Sequence, residues 1–213
     1  MNDIKAVIFD MDGVIVDSEI IHVMAENYVL NKYNIYPTEA EWQSFKGKTS
    51  ADIFAHIIVE HNIEGASAED MAFEKIDKFV EMILAADVKL FSGFTDLINH
   101  LVGRYHLALV TSSHARIQKA IFGRFNLQDF FPVVVTGDMV SKGKPDPEPY
   151  SMAISKIDAP ASSCAAIEDS VNGILSAKGA GANVLAVTHT FKKDRLFQAD
   201  WIVDSLKEIK DIL

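Results

Sequence analysis

The feature that most restricts the fold is an alternation of short apolar runs with amphipathic stretches. Six runs rich in β-branched and small apolar residues are too short for helices and are predicted to be buried strands: "KAVIFD" (5–10), "LALVTSS" (107–113), "PVVVTGD" (132–138), "SCAAIEDS" (163–170), "NVLAVTH" (183–189) and "ADWIVDS" (199–205). Segments with helical spacing, such as "ARIQKAIFGRF" and "EPYSMAISKI", lie between them. This alternation predicts an α/β fold with a doubly wound, parallel, Rossmann-like sheet.

One long region breaks the alternation. Residues 18–89 have helical periodicity and contain no convincing strand. We therefore predict an α-helical cap domain inserted at 18–89, and an α/β catalytic core formed by 1–17 together with 90–213. The chain crosses between the two at about residues 14–20 and 86–92, which are candidate hinges.

Composition and charge exclude several classes of function. The 213 residues carry a formal net charge of -10, which argues against nucleic-acid binding because that depends on clustered Lys and Arg. There is no apolar span of about 18 residues, the first residues are unlike a signal peptide, and Cys164 is the single cysteine. We expect a cytoplasmic protein that binds no membrane, and nothing in the sequence demands more than a monomer.

Polar residues follow four of the predicted strands. Because the carboxyl ends of parallel strands lie at one edge of the sheet, these side chains are expected to meet there, where open α/β proteins bind ligands. The first strand ends in Asp10 and is followed by Asp12, the second ends in Thr111 and Ser112, the third is followed by Lys144, and the fourth ends in Glu168 and Asp169.

This set of groups suits the transfer of a phosphoryl group. Carboxylates bind Mg²⁺ together with water and phosphate oxygens, and the cation offsets the repulsion between a carboxylate and a phosphate dianion. Asp10 is then a candidate nucleophile that forms an aspartyl-phosphate, and Asp12 a candidate proton carrier. Residues i and i+2 of an extended segment share a face, so both carboxylates can point into one pocket, and Gly13 lets the chain turn afterwards.

Four motifs in order, "DMDG", "LVTSS", "GKPDP" and "IEDS", resemble those of the haloacid dehalogenase superfamily, and the helical insertion is similar to the cap of its β-phosphoglucomutase and phosphatase branch. The resemblance spans the chain. It implies that Asp10 is the nucleophile and a Mg²⁺ ligand, and that Asp12 is the general acid/base. It also implies that Thr111 and Lys144 hold the phosphate and that Asp169 is a Mg²⁺ ligand.

The same resemblance assigns secondary roles. The backbone carbonyl of Asp12 would bind the metal, Glu168 would take part in the metal site, and the amides near Asp12 and Ser112 would donate to phosphate oxygens. Lys144 is preferred to Lys142 because the lysine of the family directly precedes a proline, as Lys144 does here.

The cap residues leave the reaction open between two activities. His22 and Lys48 are possible cap contributors, and Ser50 stands where the mutase branch usually has a phosphate-gripping arginine. A neutral serine holds a dianion less well than arginine, which favours a phosphatase acting on a small phosphorylated metabolite. The alternatives are a sugar phosphomutase similar to β-phosphoglucomutase and a non-catalytic protein that binds phosphate ligands.

Overall fold

A single parallel sheet forms the centre of the molecule. The computed structural model describes residues 3–213, so the first two residues of the predicted core lie outside it. The strands are β1 (Ala6–Phe9), β2 (His106–Val110), β3 (Val133–Val135), β4 (Cys164–Glu168), β5 (Asn183–Val187) and β6 (Trp201–Val203). Their order across the sheet is β3-β2-β1-β4-β5-β6 and every neighbouring pair is parallel. The α/β, Rossmann-like prediction is confirmed, and all six predicted runs contain a strand.

Helices connect the strands and cover both faces of the sheet. The α-helices among the described residues are α1 (Glu19–Leu30), α2 (Glu39–Phe45), α3 (Ser50–Glu60), α4 (Ala68–Ala85), α5 (Phe94–Leu101), α6 (Ala115–Phe125), α7 (Glu148–Ile157), α8 (Val171–Gly179) and α9 (Leu206–Ile209). Single 3₁₀ turns occur at Asn31–Tyr33, Gln128–Phe130, Gly137–Met139, Ala161–Ser163 and Lys193–Arg195. No helix within residues 3–213 combines the length and apolar character that crossing a membrane requires.

The two faces of the sheet carry side chains of different size. The face packed against α5, α6 and α9 is built mainly from large side chains, namely Val7, Phe9, Leu107, Leu109, Ile167, Leu185 and Val187. The face packed against α7 and α8 is built largely from small ones, namely Ala6, Ala108, Cys164, Ala166 and Ala186, with Ile8, Val110 and Val184. Burial on both faces explains why the strands are continuous apolar runs rather than alternating ones.

Helices α1 to α4 all lie within residues 18–89, which we call the helical insert. Part of the insert has its own apolar cluster around Phe45, Phe54 and Ile57, separate from the two clusters at the sheet. Helix α2 is the shortest of the four, with only seven residues. Its signal is local: Thr38 and Glu41 form a capping box at its start. The domain boundaries drawn at 18 and 89 stay a prediction.

The two crossings between insert and core run side by side. Val16 pairs with Leu90 in an antiparallel bridge, and the Phe91 amide donates to the Ile15 carbonyl at 2.9 Å. The insert also contacts the core at the C-terminal end of α4, where the guanidinium of Arg124 in α6 donates hydrogen bonds to the carbonyls of Ile83 and Ala86. These contacts fix where the insert lies over the carboxyl edge of the sheet.

Candidate active site

The predicted polar residues gather where the strands end. Strand β1 ends at Phe9 and β2 at Val110, earlier than the apolar runs suggest, so Asp10 and Thr111 begin the loops that follow. Both side chains are buried, at 7% and 2% exposure. Together with Asp169 they line one cavity at the carboxyl edge of the sheet.

Lys144 lies at the centre of this edge. Its Nζ atom is 2.6 Å from Oδ1 of Asp10 and 2.5 Å from Oε1 of Glu168, with a longer contact of 3.4 Å to the Val110 carbonyl. Burial disfavours an ammonium, but Asp10 and Glu168 outweigh it and raise the pKa of Lys144 above its usual value. Lys144 is therefore a fixed positive charge. Lys142, by contrast, is exposed and 3.9 Å from Asp146.

Both oxygens of Glu168 are engaged by protein groups. Oε1 also accepts a hydrogen bond from the Tyr150 hydroxyl at 2.8 Å, and Oε2 accepts from the amides of Asp169 and Ser170 and from the Ser170 hydroxyl. Gly173 makes this arrangement possible, since a Cβ atom there would lie 1.9 Å from Oε1. Helix α8 is capped by Ser170, whose hydroxyl accepts from the Gly173 amide. Glu168 thus anchors Lys144 and the start of the helix.

Three carboxylates form a group suited to a divalent cation. One oxygen from each of Asp10, Glu168 and Asp169 lies within 4.8 Å of the others, and all three side chains are buried. Burial, opposed by Lys144 and reinforced by Glu168, raises the pKa of Asp10, and burial and Glu168 raise the pKa of Asp169 to about 8. Excess negative charge is what a hard cation would neutralise, so these residues fit a metal of the Mg²⁺ type.

Gly13 brings the first loop against Asp169. Its φ of 83° is in the left-handed region, and a Cβ atom there would lie 2.0 Å from Oδ2 of Asp169. The Thr190 hydroxyl, from the loop after β5, donates to the same oxygen. Thr190 was not predicted, because no motif marks it and only the position of β5 in the sheet brings its loop to the site.

The second carboxylate, Asp12, lies in a different environment from Asp10. Its Oδ1 accepts from the Ser18 hydroxyl at 2.5 Å and lies 3.0 Å from Nε2 of His22. Its Oδ2 accepts from Ser113 at 2.9 Å and from Thr111 at 3.4 Å. Burial favours the neutral acid, but the interaction with His22 and the hydroxyl donors outweigh it and hold the pKa of Asp12 well below its usual range. The two aspartates therefore differ in charge preference although only one residue separates them.

The helical insert contributes four polar residues that touch one another: His22 and Glu26 from α1, Ser50 from α3 and Lys75 from α4. We call them the insert cluster. Lys75 Nζ lies 2.8 Å from Nδ1 of His22, 2.9 Å from the Ser50 hydroxyl and 3.4 Å from Oε1 of Glu26. An ammonium can only donate, so Nδ1 of His22 accepts and Nε2–H is left to donate to Asp12. Lys75 thus sets the tautomer of His22.

A cavity separates the insert from the sheet edge and is lined by both. It opens to solvent. Among the residues that line it are Lys46, Lys48 and Ser112. Lys46 forms an ion pair with Glu19, and the Ser112 hydroxyl donates to the Gly47 carbonyl at 2.7 Å. Asp10, Asp12 and His22 face the same space.

Sequence reasoning missed Glu26 and Lys75. Both lie on the buried faces of their helices, Glu26 beside Ala25 and Val29, and Lys75 between Met71 and Phe79. A charged residue on an otherwise apolar helical face was the available signal, because such a group needs a buried partner. The apolar residues of the insert were given no site role, yet Phe45 and Ile53 also line the cavity.

Known proteins of similar sequence include both phosphatases and a mutase. Validoxylamine A 7'-phosphate phosphatase of Streptomyces hygroscopicus subsp. limoneus is 28% identical over 210 residues, which cover 97% of this chain and 96% of that protein. β-Phosphoglucomutase of Bacillus subtilis is 28% identical over 189 residues, which cover 86% and 83%. The chain thus spans most of the length of both relatives.

The fold is similar to solved structures as well. A mutant of CbbY from Rhodobacter sphaeroides in complex with xylulose-(1,5)bisphosphate has a TM-score of 0.87 and 26% identity, with 96% of each chain covered. The profile of the haloacid dehalogenase-like hydrolases matches residues 7–187, which include every strand-end residue predicted to form the site. This chain therefore belongs to the haloacid dehalogenase-like hydrolase family.

Proposed function

We propose that this hydrolase is a magnesium-dependent phosphatase that releases inorganic phosphate from small phosphomonoesters through an aspartyl-phosphate on Asp10. The observation that carries the proposal is the buried Lys144 ammonium, 2.6 Å from Asp10, which lines the same cavity as Asp12. The phosphatases among its relatives support the same enzyme class, phosphoric monoester hydrolase. We further propose that it acts as a cytoplasmic monomer.

Asp10, the Asp12 carbonyl and Asp169 are the groups we propose to hold Mg²⁺. Glu168 belongs to the same carboxylate group, but its oxygens already accept from Lys144, Tyr150 and amides, so its main role would be to anchor that lysine. When bound, the cation would neutralise charge between carboxylate and phosphate oxygens. The raised pKa of Asp169 is consistent with this assignment, since it reflects repulsion that a cation would relieve.

In the first step, a carboxylate oxygen of Asp10 attacks phosphorus and the bond between phosphorus and the ester oxygen breaks. The leaving alkoxide takes a proton from the carboxyl group of Asp12. In the second step, Asp12, now a carboxylate, takes a proton from water as the water oxygen attacks the phosphorus of the aspartyl-phosphate. Inorganic phosphate leaves and Asp10 is regenerated as a carboxylate. Asp12 holds the proton taken from water, and loses it to solvent once the phosphate has left.

The resting charge of Asp12 determines when it can act as an acid. Its pKa is held low by His22, Ser18 and Ser113, so at rest it is ionised and suited to be the base of the second step. An arriving phosphate brings negative charge next to it, which favours protonation. His22 would then orient the carboxyl group towards the leaving oxygen rather than exchange the proton itself.

Thr111, Ser112 and Lys144 are the proposed phosphate contacts. The 3.4 Å contact from Lys144 to the Val110 carbonyl is the weakest of its three, so that N–H is the one we expect to turn to a phosphate oxygen. We propose that residues 18–89 act as a cap that limits the entry of water. Two hydrogen bonds hold it against the sheet: the Ser112 hydroxyl donates to the Gly47 carbonyl, and the side-chain amide of Asn172 donates to the Lys46 carbonyl.

A sugar phosphomutase is the second candidate. The β-phosphoglucomutase relative favours it, and both reactions would share the aspartyl-phosphate on Asp10. A mutase must retain a bisphosphate while it turns over. Ser50 supplies a neutral hydroxyl that already accepts from Lys75, which favours hydrolysis.

The test is phosphate release from a panel of sugar and small-acid monophosphates, with Mg²⁺ and with a chelator. We expect release that requires Mg²⁺ and falls by at least about a thousandfold in Asp10→Asn. Asp17→Asn is the matched control, since Asp17 is an exposed carboxylate of the same segment and should retain activity. Turnover that survives Asp10→Asn would refute the mechanism. Conversion of a hexose 1-phosphate to its 6-phosphate without phosphate release would favour the mutase.

A further inference from the structure

Glu26 is a buried carboxylate that the proposed reaction does not use. It lies on α1 with 5% exposure and lines the same cavity as Asp10 and Asp12. A carboxylate buried to this extent is costly unless a cation is close by. The buried charge of Glu26 is therefore expected to serve either the packing of the insert or the selection of the ligand that the cavity binds.

Lys75 is the partner of Glu26, and its charge is already committed. The ammonium has 2% exposure, lies 3.4 Å from Oε1 of Glu26, and donates short hydrogen bonds to the Ser50 hydroxyl and to His22. An anionic group that approached Lys75 would meet the carboxylate of Glu26 as well. In a buried place this repulsion is only weakly screened.

A second lysine of this wall is neutralised in the same way. Lys46 forms an ion pair with Glu19, and both residues line the cavity. Two lysines of the insert are thus matched by two carboxylates, and within residues 3–213 only Lys48 lines the cavity outside these pairs. Apart from Lys48, the insert side offers hydroxyl, imidazole and ion-pair groups that hydrogen-bond well to alcohols, whereas the sheet side holds Lys144 and the proposed metal ligands.

We infer that Glu26 determines specificity. It rejects substrates that carry a second anionic group at the insert end of the cavity. The substrate class is then a phosphomonoester whose remaining part is uncharged and rich in hydroxyl groups, such as a sugar or polyol monophosphate. This inference rests on the proposed function and narrows it, because phosphatase activity alone would permit bisphosphates and phosphorylated acids.

The experiment compares fructose 1-phosphate with fructose 1,6-bisphosphate, which differ only in the second phosphate. It measures kcat/KM for phosphate release, or the inhibition constant where one sugar is not turned over. Wild type should prefer the monophosphate. Glu26→Gln removes one negative charge and leaves the charge of Lys75 unopposed. It should raise the bisphosphate-to-monophosphate ratio by about tenfold or more.

A second variant separates specificity from packing. In the double variant E26Q/K75Q neither charge is present, so the ratio should return towards the wild-type value. Both E26Q and the double variant alter the packing of α1 and α4, so a change caused by packing alone would persist in the double variant. Glu74→Gln is the matched control: it breaks the ion pair of Glu74 with Lys32 on the surface of the insert and should leave the ratio unchanged. Circular dichroism melting checks that each variant is folded.

The outcomes distinguish the two levels of the proposal. A wild-type preference for the bisphosphate, or a ratio that Glu26→Gln leaves unchanged, would overturn the specificity role while the phosphatase stands. A ratio that rises further in the double variant would also overturn it. No release from any ester would refute the proposed function and the inference with it.

Discussion

The two walls of the cavity are built in different ways. On the sheet side, Asp10 and Asp169 line the cavity, and Lys144 contacts Asp10 and Glu168. These four residues, which we call the strand-end cluster, lie at or after the ends of three strands and are brought together by the strand order. On the other side, the residues of the insert cluster project from three helices and are held largely by one another. We therefore propose that the sheet supplies the chemistry and the insert supplies orientation and selectivity. Substitutions on the sheet side should therefore have the larger effects on turnover.

Lys144→Met, on the sheet side, should have a larger effect on turnover than any substitution in the insert. It removes the positive charge between Asp10 and Glu168, and we expect kcat/KM to fall by about a thousandfold because a phosphate-stabilising donor is lost. Steady-state kinetics on the best ester of the panel measures it. Lys142→Met is the control, since Lys142 is exposed, and should stay near wild type. Equal losses in both variants would contradict the role of Lys144.

His22→Asn tests the junction between the two walls. Without the imidazole, Asp12 keeps its hydroxyl donors but loses the partner 3.0 Å from Oδ1. We expect kcat to fall by about 10- to 100-fold with little change in KM, because orientation of the proton carrier is affected rather than binding. His56→Asn, at an exposed position of α3, should be silent. A change confined to KM would instead make His22 a binding residue.

Removal of the metal should change how stability depends on pH. In the metal-free protein the pKa of Asp169 is raised to about 8, far above its value in an unfolded chain. For an acid whose pKa is raised by folding, the stabilisation is complete below the unfolded pKa and is lost as pH rises through the folded one. The melting temperature without metal should thus fall between about pH 4 and pH 8.

Mg²⁺ should oppose this fall in melting temperature with rising pH. Because the cation favours the ionised carboxylate, the increase in melting temperature on adding Mg²⁺ should be larger near about pH 8 than near about pH 6. Thermal scans with and without a chelator measure both effects. A shift that does not depend on pH would argue against Asp169 as a ligand.

The smallest expected effect concerns how the insert is held against the core. The side-chain amide of Asn172 donates to the Lys46 carbonyl at 2.8 Å, across the two parts. Asn172→Ala removes one neutral hydrogen bond, so KM should rise by about two- to fivefold while the free energy of unfolding changes by about 1 kcal/mol or less. Asn183→Ala removes side-chain amide hydrogen bonds to the carbonyls of Ser162 and Cys164, away from the cavity, and should leave KM unchanged. Equal KM in both variants would show that this contact does not govern substrate access.

The sequence predicted the sheet side of the site better than the insert side. Every strand of a parallel sheet ends at the same edge, so motifs distant in the chain, such as those of Asp10 and Asp169, could be brought together by topology alone. That inference needs only the strand order. Thr190 escaped it because its loop follows β5 and no motif marks it.

The insert side depends on which faces of several helices meet, which periodicity does not specify. His22 and Lys48 were identified through the resemblance, whereas Glu26 and Lys75 appear only when α1 and α4 are packed together. A charged residue on an apolar helical face is therefore as informative as a strand-end aspartate.

Transfer of the phosphoryl group to Asp10 before it reaches water is the step on which the proposed mechanism depends. The most direct test is the stereochemical course at phosphorus, measured with an ester made chiral at phosphorus by isotopic labelling of its oxygens. Two successive in-line displacements invert the configuration twice, so we predict net retention in the phosphate released. Net inversion would mean a single direct attack by water and would contradict the aspartyl-phosphate.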